Sequence, residues 1–177
     1  MQDILEKAKN IELVIFDIDG VMTDGSLFLG DAGEEYKAFN SQDGHGMRML
    51  QDGGVRAAII TGRSSQVVKH RMKDLGVSMI YQGYRDKRPA FETLIQKVEL
   101  RLDQVAYVGD DVVDLPIMTQ VGLAIAVQDA HPFVKQHAHW ITTRSGGRGA
   151  VRDVCEMLLE ARGSLAEILA SYLHTPG

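Results

Sequence analysis

The stretch VIFDIDGVMTDG, Val14 to Gly25, sets two carboxylates two residues apart directly after an apolar run. Like charges at Asp17 and Asp19 repel, so their placement there asks for something positive between them. Leu13 to Phe16 reads as a strand, a short continuous apolar run of the kind buried on both faces of a parallel sheet. Three further runs repeat the theme: RAAIIT at 56–61, QVAYVG at 104–109 and GLAIAV at 122–127. Amphipathic helical patterns lie between them over 47–50, 67–75, 90–98 and 112–121, with Gly76 and Gly122 ending two of them. Alternating strands and helices predict an α/β fold: a Rossmann-like parallel sheet with helices on both faces and ligands at the carboxyl ends of the strands. Three of the four runs end in candidate chemistry, at Asp17, Thr61 and Asp110. One Asp or Thr at such an end is usually a turn residue; three together point to a site.

The rest of the chain bounds the reading. Its 177 residues fit one domain, 1–177, with a C-terminal helical tail over about 149–177. A net charge of −5 argues against nucleic acid or anionic lipid as partner, so a phosphate-bearing substrate needs local positive charge. The single Cys155 excludes an intramolecular disulfide and fits the reducing cytoplasm. No apolar run approaches the ~18 residues of a membrane span, and MQDILEKAKN lacks a signal-peptide core. GSLFLGDAGEEYKAFN, 25–40, predicts a β-hairpin projecting after the first strand, either a flap over the site or an edge hairpin. The tail carries an apolar stripe at Val151, Val154, Cys155, Leu158 and Leu159, which makes Cys155 a core residue. A second stripe at Leu165, Ile168, Leu169, Tyr172 and Leu173 follows a Ser164-x-x-Glu167 capping box. His137 and His139 read as surface or packing residues. Gly146-Gly147-Arg148-Gly149 reads equally as an anion cradle or a flexible joint.

Mg²⁺ takes hard oxygen ligands and is usually held by one or two carboxylates together with waters and a substrate phosphate. Asp17, Asp19 and Asp110 offer such a set, and strand alternation would place Asp17 and Asp19 on one face. Asp17 is then free to attack phosphorus while Asp19 handles protons. Thr61, just before a helix start, can hold phosphate oxygens, and Lys87 in RDKRPAF offers positive charge to them and to the nucleophile. Asp111 and Asp114 are supporting residues; Asp114, one helical turn past Asp110, is placed to orient a loop or Lys87.

The D-x-D-G-V-x-x-D-G of Asp17 to Gly25, strand-terminal Thr61, Lys87 and the G-D-D-x-x-D of Gly109 to Asp114 resemble the four ordered motifs of the haloacid dehalogenase superfamily of phosphatases. The resemblance spans residues 13 to about 127. It implies that Asp17 is phosphorylated, that Asp19 is general acid and then base, and that Mg²⁺ binds Asp17, the backbone carbonyl of Asp19, and Asp110. The intervals from Asp17 to Thr61 and from Lys87 to Asp110 are too short for a cap domain, so the site is open and suits a large substrate or a lid from a neighbouring subunit.

Within that class DIDGVMTDG, GEEYKAFN, DGHGMRML, IITGRSS, DKRPAF, YVGDDVVDLPIM, DAHP and GGRGAVRDVCEMLL resemble the phosphatases of 3-deoxy-D-manno-octulosonate 8-phosphate, over most of the chain. That implies a role in lipopolysaccharide precursor biosynthesis and a homotetramer whose hairpins and tails help close neighbouring sites. It puts substrate contacts at Asp19, Asn40, Ser41, Gln42, Asp43, Gly44, Arg48, Arg63, Arg71 and Lys87. Gln42 stands where that family commonly has arginine, which keeps a related nine-carbon ulosonic acid 9-phosphate as an alternative substrate. A receiver-type signalling domain holding a phosphoaspartate is the alternative of another class. Against it stands Asp19, an acid/base that a slow switch does not need.

Overall fold

Helix α1 (Gln2–Lys9) leads into strand β1 (Leu13–Phe16) and then a hairpin of two short strands, β2 (Phe28–Leu29) and β3 (Glu35–Tyr36). There follow α2 (Ser41–Asp52), β4 (Arg56–Thr61), α3 (Gln66–Asp74), β5 (Met79–Gln82), α4 (Arg88–Val98) and β6 (Val105–Gly109). The chain ends with α5 (Leu115–Met118), β7 (Leu123–Ala126), α6 (Pro132–His137), β8 (Trp140–Ile141), α7 (Ala150–Ala161) and α8 (Leu165–Ser171). This computed structural model describes residues 2–173, so Met1 and the last four residues of the expected tail lie outside the described residues.

Six strands pair in the order β5-β4-β1-β6-β7-β8, every neighbouring pair parallel. β1, β6 and β7 are buried along their whole length, which is why their sequences show no polar alternation. The chain moves from β1 to β4 and β5 on one side, then returns to β6, β7 and β8 on the other. With right-handed crossovers that reversal puts helices on opposite faces. Accordingly α7 packs against α1, α2 and α8, while α5 touches α4 and α6. The reversal opens a crevice beyond the carboxyl ends of β1, β4 and β6, where such folds bind ligands. No cap domain intervenes: a hairpin and α2 fill the interval from β1 to β4, and α4 with one 3₁₀ turn fills that from β5 to β6.

Several local expectations change. β5 and β8 were not expected; β5 is only half-buried, and β8 is two residues long. α2 begins six residues before the predicted 47–50 segment. Asn40 caps it by accepting from the backbone amides of Gln42 and Asp43, and Gly44 and Gly46, poor helix formers that hid this start, let neighbouring side chains come close. The helix expected over 112–121 is a 3₁₀ turn at Val112–Asp114 followed by the four-residue α5. Backbone amides of Asp110 and Asp111 bond back to the Asp114 carboxylate, which tightens the turn. The capping box at Ser164 does not form, since its hydroxyl donates back to the Leu159 carbonyl. The Gly146–Gly149 segment is neither a cradle nor a joint. Gly146, Gly147 and Gly149 donate their amides to Asp129 Oδ1, the Val21 carbonyl and Asp43 Oδ2, and a Cβ at Gly146 would strike the Gly20 carbonyl. Cys155 is buried in α7 within the core.

Candidate active site

β1 stops at Phe16, and the next residue, Asp17, donates its amide to the Val108 carbonyl of β6 at 3.2 Å. Its carboxylate Oδ1 accepts from the Ile18 amide at 2.7 Å, which fixes the rotamer at the strand mouth. Strand alternation therefore ends before Asp19: Asp17 is buried and Asp19 only half-buried. Lys87, just before α4, turns inward and is buried. Its ammonium lies 2.8 Å from Asp17 Oδ2, 2.6 Å from Asp114 Oδ1 and 3.3 Å from the Tyr107 hydroxyl. Thr61 ends β4 beside them, also buried.

Asp17, Asp110 and Asp114 bring carboxylate oxygens within 4.8 Å of one another. Asp114 is saturated: Oδ1 accepts from Lys87 and from the Tyr107 hydroxyl at 2.7 Å, and Oδ2 accepts from the amides of Asp110 and Asp111 at 3.0 and 3.2 Å. It therefore holds Lys87 and the Asp110 turn rather than facing the cavity. Asp110 is different, since its carboxylate has no hydrogen bond or ion pair among the described residues. Burial, reinforced by the charges of Asp114 and Asp17, pushes its pKa up to about 8. Burial likewise raises Asp17 to about 6, against the pull of the Lys87 ammonium. Burial opposes the charge on Lys87, but Asp17 and Asp114 outweigh it and hold its pKa above the usual lysine value. Asp17 and Asp110 thus share too little positive charge, which is the condition a divalent cation relieves.

The donor set fits Mg²⁺. Two hard carboxylates converge, and the Asp19 carbonyl accepts no backbone hydrogen bond among the described residues. Gly20, at φ +90°, lies so close to Asp110 that a Cβ would overlap its carboxylate. Asp19 itself meets a group of charges of which sequence reasoning named only Arg63. Lys37 from the hairpin bonds Asp19 Oδ1 and lies 3.1 Å from Glu35 Oε1; Arg63 Nη2 is 3.2 Å from the same Glu35 oxygen, and Arg63 Nε is 3.9 Å from Asp19 Oδ2. Despite partial burial, these two cations hold the Glu35 carboxyl below its usual pKa. Tyr107 was missed too, because inside a buried strand its letter reads as a hydrophobe.

Asp17, Asp19, Thr61, Arg63, Lys87 and Asp110 line an open cavity of about 720 Å³, together with Leu27, Ser64 and Arg85. The structure divides the residues expected to touch substrate. Asp19, Arg63 and Lys87 line the cavity, whereas Asn40, Ser41, Gln42, Asp43, Gly44, Arg48 and Arg71 do not. Asn40 caps α2. Asp43 is buried and accepts from the amides of Gly149 and Arg152, tying α2 to α7. Arg48 donates to the Asp74 carbonyl, and Arg71 lies 5.9 Å over the Phe39 ring with its Nε buried and unpartnered. Asp111 accepts from the Val112 amide at the start of the 3₁₀ turn.

A parallel sheet with paired acids at its carboxyl edge, no cap and a buried lysine defines a haloacid dehalogenase-type hydrolase, and residues 77–153 match the family of haloacid dehalogenase-like hydrolases. Among known proteins, the chain is 47% identical to the 3-deoxy-D-manno-octulosonate 8-phosphate phosphatase of Yersinia pestis over 92% of its own length and 87% of the relative's. It is 48% identical to that of Escherichia coli K12, covering 93% and 88%. The crystal structure of the Moraxella catarrhalis phosphatase, in complex with magnesium, phosphate and KDO, superposes with a TM-score of 0.95 at 41% identity, covering 97% of this chain and 99% of that one. The chain belongs to the 3-deoxy-D-manno-octulosonate 8-phosphate phosphatase family. It is a phosphatase, a hydrolase of phosphoric monoesters.

Proposed function

We propose that the protein hydrolyses 3-deoxy-D-manno-octulosonate 8-phosphate to 3-deoxy-D-manno-octulosonate and inorganic phosphate, a step of lipopolysaccharide precursor biosynthesis. The observation that carries this reading is the Asp17–Lys87–Asp114 cluster facing an unpaired Asp110, in a chain so similar to phosphatases of that substrate. Asp17 attacks phosphorus in line through a carboxylate oxygen, and the P–O bond to the sugar breaks. Asp19 gives its proton to the departing sugar oxygen. Asp19, now ionised, takes a proton from water, whose oxygen attacks the phosphoaspartate, releasing phosphate and restoring Asp17. Lys87 and the Thr61 hydroxyl offset the charge on the phosphoryl oxygens. Asp17, Asp110 and the Asp19 carbonyl would hold Mg²⁺, which supplies a Lewis acid for those oxygens. Arg63, at the cavity wall, offers its guanidinium to the substrate's carboxylate, a reading supported by its position on that wall.

The single domain works in the cytoplasm as a homotetramer. Support for assembly comes from the hairpin, which exposes Leu27, Phe28, Leu29 and Tyr36, and from the arginines that stand outside their own chain's cavity. A second copy can bring Arg48 and Arg71 to a neighbour's open site. The lone, buried Cys155 suits a reducing compartment.

Phosphate release measured on the eight-carbon 8-phosphate and a nine-carbon 9-phosphate, with and without Mg²⁺, tests the reading. We expect Mg²⁺-dependent turnover with higher kcat/KM on the eight-carbon ester, and none above background from Asp17→Asn. Preference for the nine-carbon ester would overturn the substrate; wild-type rates from Asp17→Asn would overturn the mechanism.

A further inference from the structure

The hairpin sets a buried lysine on the general acid. Glu35 in β3 and Lys37 just past its end are two residues apart and point to the same side, while Phe28 and Tyr36, which pair across the hairpin, are exposed. The Lys37 side chain is only 1% exposed. A lysine is rarely buried so far unless paired, and this one meets two carboxylates, Asp19 and Glu35. Asp17 is fixed by backbone at a strand end. The Asp19 carboxylate is gripped, among the described residues, only by Lys37 on Oδ1 and by the more distant Arg63 guanidinium near Oδ2. Oδ2 makes no hydrogen bond among the described residues and is the oxygen left to pass a proton.

We propose that Lys37 is a positioning residue for proton transfer: by anchoring Asp19 Oδ1, with Glu35 steadying both Lys37 and Arg63, it presents Asp19 Oδ2 to the departing oxygen. This rests on the phosphatase reading above. Proton delivery depends on heavy-atom placement within hydrogen-bonding reach, so an unanchored Asp19 loses efficiency as an acid without any change in the nucleophile. The loss is specific to chemistry that needs the acid. An alkoxide leaving group needs its proton as the P–O bond breaks, whereas a 4-nitrophenolate departs without one.

The test compares 4-nitrobenzyl phosphate with 4-nitrophenyl phosphate, whose organic groups are uncharged in the ester and similar in size, in the wild type and in Lys37→Met, which keeps the length and apolar stem of the side chain. kcat/KM reports the steps up to leaving-group departure and excludes the later hydrolysis of the phosphoaspartate. In Lys37→Met the benzyl ester should lose about tenfold or more beyond the loss on the nitrophenyl ester, within the range general acids contribute. Lys37→Arg, which keeps a donor on Asp19, should restore most of that ratio. Should Lys37→Met fail to fold, Glu35→Gln is read the same way, with a smaller shift of the same sign. Parallel losses on both esters, or none, would overturn the inference while leaving the phosphatase reading intact. A wild type inert on both esters and on 3-deoxy-D-manno-octulosonate 8-phosphate would overturn that reading and this inference with it.

Discussion

Magnesium should stabilise this protein more at neutral than at mildly acidic pH, and the size of that difference follows from two carboxyls. In the metal-free protein, Asp110 titrates near 8 and Asp17 near 6, both well above a free aspartate. The folded state then binds more protons than the unfolded state between those values and about 4. Stability from these groups is fully present at low pH and is withdrawn as pH rises, by about 1.4 kcal/mol per pH unit for each carboxyl that stays protonated only in the fold. Asp110 is partly open to water, so we take about half of that figure, which leaves roughly 1.5 kcal/mol lost between about pH 5.5 and 7.5. A bound cation favours the ionised carboxylates and removes the penalty. Thermal melts in excess Mg²⁺ and in chelator, at both pH values, read this directly. The magnesium-induced rise in Tm should be larger at about pH 7.5 than at 5.5 by roughly 3–6 °C for a chain of this size. Asp110→Asn is the control: its metal-free form should melt above the metal-free wild type at the higher pH, and magnesium should add little. An equal magnesium shift at both pH values, or a metal-free wild type that gains stability as pH rises relative to the magnesium form, would refute this account.

Asp114→Asn removes charge from a fully buried group with four donors, and whichever way the amide turns, its NH₂ faces a donor. We expect about 3–5 kcal/mol of lost stability by chemical denaturation, against about 1 kcal/mol for Tyr107→Phe, which leaves Lys87 and Asp114 paired. Gly20→Ala places a methyl group into the Asp110 carboxylate at a φ that disfavours it; calorimetric titration should find Mg²⁺ affinity down roughly 10–100-fold. If Arg71 acts on a neighbour's site, Asp17→Asn and Arg71→Ala proteins, each weak alone, should regain activity when unfolded together and reassembled as mixed oligomers, up to about a quarter of wild type. No gain on mixing would place Arg71 outside the neighbour's chemistry.

The strands at the centre were legible because β1, β4, β6 and β7 are buried deeply enough to be written as apolar runs, and the acids and hydroxyl at their ends stood out against them. β5 has the mixed letters MIYQ because each of its residues is only half-buried at the sheet edge, and β8 is too short to carry a pattern. The Mg²⁺ cofactor and phosphatase chemistry followed from the order of Asp17, Thr61, Lys87 and Asp110. Lys37 could not be read in advance. Just past the two-residue strand that holds Glu35 it looks like a solvated hairpin face, and only the hairpin's fold over Asp19 makes it internal. Tyr107 is similar, since its hydroxyl matters through Asp114, seven residues away, once the 3₁₀ turn closes. The glycines at 146 and 147 are needed for close contact with the backbone around Gly20 and Thr23, a contact between segments more than a hundred residues apart that no local pattern records.

The two halves of the site are built to different standards of rigidity, in keeping with what each must do. In the mechanism we propose, Asp17 presents one oxygen along a fixed line to phosphorus. Its supports are a strand end, the Ile18 amide and a lysine locked between two buried acids, all tied to the central sheet. In the same proposed mechanism Asp19 serves two reactions in turn, first releasing a proton to a sugar oxygen and then taking one from water. Its supports are a hairpin of two two-residue strands and an arginine shared with Glu35. The hairpin's outer residues are apolar and exposed, so whatever surface they bury against also sets where Lys37 holds Asp19. If that surface is a second copy, assembly acts on the proton-transfer step more than on nucleophilic attack. Charged substitutions at Phe28 or Tyr36 that dissociate the oligomer should then reduce turnover of alkyl phosphates more than turnover of 4-nitrophenyl phosphate, a comparison made on one protein preparation. Equal loss on both would mean that assembly supplies binding residues alone.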